Sequence, residues 1–176
     1  MYVSRAGASI SLEQQDEFVA QIRQAHAALA KADGFRWAML LRSMEDPAQL
    51  AAVAMWLTRE HAAASGEPPQ HYDVTTARGS MTPAAVMGIV EWHIDPDGAQ
   101  GFVSWWNAAY HAIEDSIGSR LLQDLDDAAH YTGIHVAASE AALKPDVLAS
   151  ALSDGGGLDV RPESVTRYEV ILLHEA

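Results

Sequence analysis

The sequence predicts an α+β fold built from two βαββαβ repeats carried in one chain. Three observations predict it. Two long amphipathic segments each run to a glycine, at Gly34 and Gly118. A β-rich pair of segments follows each of them. The whole order then recurs between residues 1–80 and residues 81–176, which are taken as the two repeats.

The elements of the first repeat follow in order. MYVSRAGAS (1–9) reads as a weak strand. Ser11 and Gln14 have the spacing of a capping box, and Phe18, Ile22, Ala25 and Leu29 then share one helical face. A helix is predicted over 12–32, stopped by Gly34. FRWAMLLRS (35–43) is a strand and MEDPA a turn, since proline blocks strand pairing. QLAAVAMWLTREHAAAS (49–65) is ambiguous. Its alanines favour a helix, yet Val53, Met55 and Leu57 alternate with Ala52, Ala54 and Trp56 as in a strand buried on both faces. HYDVTTAR (71–78) is β-rich and closes the repeat.

In the second repeat AAVMGIVEWHI (84–94) is a strand, ended by DPDG. Phe102, Trp106, Ala109, Ile113 and Ile117 then form a helical stripe that Gly118 stops. SRLLQDLD (119–126) and HYTGIHVAAS (130–139) are strand-like. A helix over 139–152 is interrupted near Pro145, a Gly-rich loop covers 154–163, and SVTRYEVILLHE (164–175) is the last strand. The ambiguous stretch is resolved by its counterpart. HYTGIHVA is rich in β-formers around a central glycine, so QLAAVAMWLT is a strand too and its helix starts near Arg59. Gly34-Phe35-Arg36 is matched to Gly118-Ser119-Arg120 and Arg59-Glu60 to Ser139-Glu140, with a slightly longer hairpin in the first half. Each repeat is then a ferredoxin-like unit with both helices on one sheet face. The other face is apolar and needs cover. Packing the two sheets together gives an internal pseudo-dimeric α+β barrel.

Composition narrows the function classes. The formal net charge of -13, with 11 Lys and Arg, argues against nucleic acid and anionic membranes. Hydrophobic residues make up 49%, enough for a substantial core. Cysteine is absent, so there is neither a disulfide framework nor a thiolate metal site. MYVSRAGASI lacks a signal-peptide hydrophobic region, and no apolar run is long enough to span a bilayer. A soluble cytoplasmic protein is expected, either a monomer with an internal pseudo-dimer or a homodimer. No metal-binding histidine motif, nucleotide-binding glycine motif or nucleophile elbow occurs, so no metal or cofactor is implied.

The run GFRWAMLLRSMEDPAQLAAVAMWLTREHAAAS (34–65) resembles the antibiotic biosynthesis monooxygenase family of the dimeric α+β barrel superfamily. The features that carry the likeness are Gly34 before the second strand, the Asp46-Pro47 turn, and a strand closing on Trp56-Leu57-Thr58 before Glu60. GSRLLQDLDDAAHYTGIHVAASEAAL resembles the pattern more loosely, with Val136 in place of the strand-end tryptophan. The resemblance implies cofactor-independent oxygenation of a small aromatic substrate. The alternative it implies is a non-catalytic binding module for a hydrophobic small molecule or haem. Neither first strand carries an obvious Asn, which is a departure from the oxygenases.

Several side chains are candidates for that chemistry. Trp56 matches the family's strand-end tryptophan, which can line a pocket between sheet and helices; otherwise it fills core volume. Trp37 and Trp92 are further candidate pocket walls, and His61, one turn past Trp56, is a fourth substrate-binding candidate. Glu91 and His93 share a strand face, so the carboxylate can tune His93 as a general base; otherwise they are a hydrated polar pair. His135 is the other candidate base. It shares a face with Tyr131 and Gly133, where the missing side chain leaves room for a ligand, or it is a satisfied core histidine. His130 and His135 fall on opposite faces and cannot join in a metal site. Asn107 and His111 are expected to point to water, and His26 shows no carboxylate or histidine partner.

Overall fold

The ambiguous alanine-rich stretch is a strand from Gln49 to Trp56. Strands pair with it on both edges, residues 2–9 on one side and 35–42 on the other. Two full ladders of backbone hydrogen bonds outweigh alanine's intrinsic helix preference, which amounts to tenths of a kcal/mol per residue. The structure, a computed structural model, describes residues 1–64, 70–82, 84–109, 116–144 and 160–176. It divides into Met1–Asp73 with Tyr168–Ala176, and Val74–Arg167.

The first unit holds β1 (Tyr2–Ser9), α1 (Gln15–Leu29), β2 (Phe35–Ser43), β3 (Gln49–Trp56), α2 (Arg59–Ala63), the start of β4 (Gln70–Gly79) and most of β8 (Ser164–Glu175). Its antiparallel sheet runs β4-β1-β3-β2-β8. The first four strands have the ferredoxin-like order. The helix expected over 12–32 opens as a 3-10 turn at Leu12–Gln14 and is α-helical only from Gln15 to Leu29. Ser11 is not a cap. Its Oγ donates to Gln14 Oε1 at 2.9 Å instead of accepting a backbone amide. The buried face is also turned from the predicted stripe. Gln15 and His26 are buried, Phe18, Ile22 and Leu29 are half-buried, and Ala25 is exposed.

The second unit holds the rest of β4, then β5 (Val86–His93), α3 (Ala99–Ala109), β6 (Ser116–Asp124), β7 (His130–Ala137) and a 3-10 turn at Glu140–Leu143. Antiparallel β5 and β6 flank β7. The N–H of Glu163, just before β8, donates to the Glu91 carbonyl at 2.7 Å. The end of β4 lies against β6, where the Arg120 guanidinium donates to the Arg78 carbonyl at 2.7 Å. That contact corrects the reading of Gly118 and Ile117 as the end of a helix, since both lie in β6. A Cβ on Gly118 would come within 1.9 Å of the Ser80 carbonyl oxygen, so close backbone approach demands this glycine. Ile113, His111 and the helix expected beyond Lys144 lie outside the described residues.

The two hairpins are equal in length, Phe35–Trp56 and Ser116–Ala137, not longer in the first. Their turns use the same bonds. Gln49 N–H donates to the Asp46 carbonyl and His130 N–H to the Asp127 carbonyl, both at 2.9 Å. Ala48 and Ala129 donate to the carboxylates of those same aspartates, each at 3.0 Å. The register shifts between Phe35 and Trp37 and, correspondingly, between Ser116 and Gly118. Gly118 therefore answers to Trp37, not to Gly34.

Candidate functional site

The first unit has a cavity of about 190 Å³ between α1 and its sheet. Its sheet side is made of Ser4 and Ala6 from β1 and of Ala52, Val53, Ala54 and Trp56 from β3; Ile22, Ala25, His26 and Leu29 of α1 cover it. The local sequence explains the space. Ala6 pairs across the ladder with Ala52, and Ser4 with Ala54. Directly opposed side chains share a face, so two adjacent pairs of short side chains leave a hollow under the helix. Trp56 bounds the hollow and is fixed by Phe35, whose ring meets it edge-on at a centroid distance of 5.3 Å.

His26 is the titratable group of the cavity wall and is 5% exposed. Burial, and secondarily the neighbouring His174, lowers its pKa from 6.5 to about 4, so the imidazole is neutral at pH 7. Its Nδ1 has no hydrogen-bond partner among the described residues. The His174 ring stands edge-on to it at 6.0 Å. Sequence reading gave His26 no partner because the partner lies on β8, at the far end of the chain. A lone histidine on an amphipathic helix carries no signal of such a neighbour.

The other candidates are dispersed. His61 lines a separate cavity of about 550 Å³ with Ala28, Leu29, Ala32, Asp33, Glu60 and Ala64. Leu29 borders both cavities. The His61 Nδ1 lies 2.9 Å from Thr58 Oγ1. Its ring occupies the place a Cβ on Gly34 would take, and Gly34 has φ +75°. Only a glycine meets both demands comfortably. Trp37 pairs with Met55 and so faces the side of the sheet away from Trp56.

In the second unit Trp92 packs in a cluster with Phe102, Trp105, Trp106, Leu121 and Tyr131. His135 is 1% exposed, with its ring 4.6 Å from that of Trp106. Burial lowers its pKa to about 3, and neither ring nitrogen has a hydrogen-bond partner among the described residues. The space expected beside Gly133 is occupied: a Cβ there would lie 2.2 Å from Trp106 Cη2. His93 is exposed at its strand end, while the Glu91 carboxylate accepts a hydrogen bond from Ser164 Oγ at 2.8 Å. Among the described residues no group of three or more metal-ligating side chains gathers. No described helix is long and apolar enough to cross a membrane.

Residues 1–74, the segment that builds the cavity, match the sequence model of the antibiotic biosynthesis monooxygenase family. The match covers the first 74 of the chain's 176 residues. The likeness in fold extends further. A candidate monooxygenase from Fusobacterium nucleatum superposes with a TM-score of 0.78 at 6% identity, covering 99% of this chain and 94% of that one. An anthrone oxidase-like protein gives 0.69 at 10% identity, covering 99% and 92%. A haem-degrading enzyme from Listeria monocytogenes gives 0.63 at 12% identity, covering 97% and 99%. At such identities the likeness establishes the α+β ferredoxin-like fold and leaves chemistry to the site. No curated protein matches the chain by sequence.

Proposed function

We propose that the chain is a cofactor-independent monooxygenase acting on a small, electron-rich aromatic held in the cavity beside Trp56. The observation that carries this reading is the cavity itself. It lies within the segment that matches the family's sequence model, is bounded by the strand-end tryptophan, and is apolar except for Ser4 and His26. An apolar cavity of roughly 150 Å³ accepts benzene, so about 190 Å³ suits one aromatic ring. In this chemistry the substrate supplies the electrons. A phenol loses its proton to a base, the ring carbon para to the oxygen bonds to dioxygen, and loss of water from the hydroperoxide leaves a quinone. One phenol and one O2 give one quinone and one water, with no other reductant.

A non-catalytic binding module for a hydrophobic small molecule uses the same cavity and is the second reading. Haem fits it less well. Drug-sized ligands need roughly 300 Å³ or more, and the larger neighbouring cavity presents Asp33 and Glu60 where haem would bring its own carboxylates. The reading further holds that the two halves, 1–80 and 81–176, are repeats whose bare sheet faces close on each other as an internal barrel in a soluble, cytoplasmic protein. The matched turns and bulges support duplication, and the buried Met39, Leu41, Met55, Met87 and Ile89 support a covered second face.

Oxygen uptake with electron-rich monocyclic phenols, in metal-free buffer, tests the enzyme. Uptake that disappears in Ala54→Leu, which fills the cavity, is the expected result. Binding without uptake assigns the chain to the second reading, and a Soret shift on hemin addition would favour haem.

A further inference from the structure

We propose that the two cavities of the first unit are two compartments of one site, divided by Leu29, and that the ligand is an arylalkylamine, with its ring in the inner hollow beside Trp56 and its ammonium group in the outer cavity. The proposal rests on the reading of the inner hollow as a binding site. Leu29, the last residue of α1, borders both cavities. It is half-buried and packs against the cluster that holds Phe35 and Trp56. The outer cavity, about 550 Å³, falls in the range of roughly 300–1,000 Å³ usual for ligand sites, which the inner one of about 190 Å³ does not reach alone. A ligand of ordinary size that seats a ring in the inner hollow must therefore extend past Leu29.

The two walls set the chemistry of the ligand's two ends. The inner wall is mostly aliphatic and ends on Trp56, which suits a ring. The outer wall carries Asp33, Glu60 and His61 above a floor of alanines and Leu29. Asp33 and Glu60 are exposed to solvent. The Glu60 carboxyl is held below its ordinary range, first by a hydrogen bond from the Thr58 hydroxyl. That hydroxyl has one hydrogen to give. Toward His61, 2.9 Å away, the Thr58 oxygen therefore accepts and the ring's Nδ1 donates. In this tautomer Nε2 is an acceptor. All three polar side chains of the outer wall thus present acceptors, and no Lys or Arg lines it among the described residues. An anionic arm meets two like charges there. A hydroxyl arm brings one donor, whereas an ammonium brings three donors and the opposite charge. Exposed charge pairs are individually weak, so the ring supplies most of the affinity and the arm the selectivity.

The discriminating experiment compares phenylbutylamine, phenylbutanol and phenylbutyrate, which share ring and chain and differ in the charge of the arm. Toluene, the ring alone, reads the inner hollow. Calorimetry on wild type should show the amine binding about tenfold tighter than the alcohol, the difference between charge-assisted and neutral hydrogen bonds, and the acid binding weaker than the alcohol. Toluene should displace the amine competitively. In the double variant Asp33→Asn, Glu60→Gln the amine and alcohol should bind within about threefold of each other, with toluene affinity as in wild type. Salt supplies a test that needs no variant: raising it should shrink the amine's advantage and leave toluene binding unchanged. Toluene binding with no preference for the amine overturns the proposal and leaves the cavity reading standing. A preference that survives in the double variant overturns it too, as does amine binding that toluene does not displace. Should wild type bind none of the four compounds, the cavity reading falls and the proposal with it.

Discussion

In the first unit α1 stands over alanines; in the second α3 stands over aromatic rings. The turns align the two. Gln14 N–H donates to the Ser11 carbonyl and Gly98 N–H to the Asp95 carbonyl, which matches Ile22 to Trp106. The hairpin turns match Ala52 to Gly133 and Ala54 to His135. One scaffold thus carries two opposite solutions to the layer between helix and sheet. Small sheet residues under a medium-sized helical residue leave about 190 Å³ open. A tryptophan seated on a glycine and flanked by Trp92 and His135 leaves the corresponding layer packed. The difference separates a half with an open layer from a half with a filled one.

Breaking the packed half should have the largest effect. Trp106 is 1% exposed and touches Trp92, His135 and the backbone at Gly133. Trp106→Ala should lower stability by about 3–5 kcal/mol, measured by urea denaturation. Ile22→Ala is half-buried over an existing hollow and should cost less than about 2 kcal/mol. Equal losses at the two positions would erase the distinction. Gly133→Ala is the complementary insult. Its methyl group would meet the tryptophan ring well inside contact distance, so a loss of about 1–3 kcal/mol is expected from overpacking.

Acid provides a third test, because among the described residues each half buries one neutral histidine. His135 has a folded pKa of about 3 and His26 of about 4, against 6.5 when unfolded. Both are depressed, so below pH 6.5 the unfolded chain binds protons that the folded chain does not. Stability is therefore complete above about pH 7 and declines as pH falls toward 4. From pH 7.5 to pH 5 each group should cost about 2 kcal/mol. His135→Leu should flatten the decline in urea midpoints by about half, and an unchanged slope would show that His135 takes up its proton without unfolding.

Much of the frame was legible in the sequence, and the site much less so. Strand order and the β assignment of 49–56 followed from comparing the halves, because Tyr131, Thr132, Ile134 and Val136 declare a strand where Ala52 and Ala54 do not. Gly118 misled, since a glycine after an apolar helical stripe looks the same whether it ends a helix or admits a neighbouring backbone. Trp56, which borders the hollow, was singled out because strand-end position and residue type coincide. The hollow itself, with His26 on its wall, was not legible. A hollow is made by the absence of side chains on two other strands, and periodicity along one helix cannot register that.

The finest test converts the first half into the second. Ile22→Trp places an indole where Trp106 stands, but the residue beneath it is Ala52, whose methyl group has no counterpart at Gly133. The single variant should therefore lose about 1–2 kcal/mol from overpacking, while closing the cavity to toluene. Adding Ala52→Gly supplies the seat that Gly133 gives Trp106. The double variant should regain most of that loss, less about 0.5–1 kcal/mol for a glycine inside a strand, and should still bind no ring compound. A coupling between the two substitutions of about 1 kcal/mol, read from a double-mutant cycle in urea, would show that the two layers differ by these side chains. Additive losses would mean that the hollow is held open by the placement of α1 itself, and that neither Ile22 nor Ala52 sets its size.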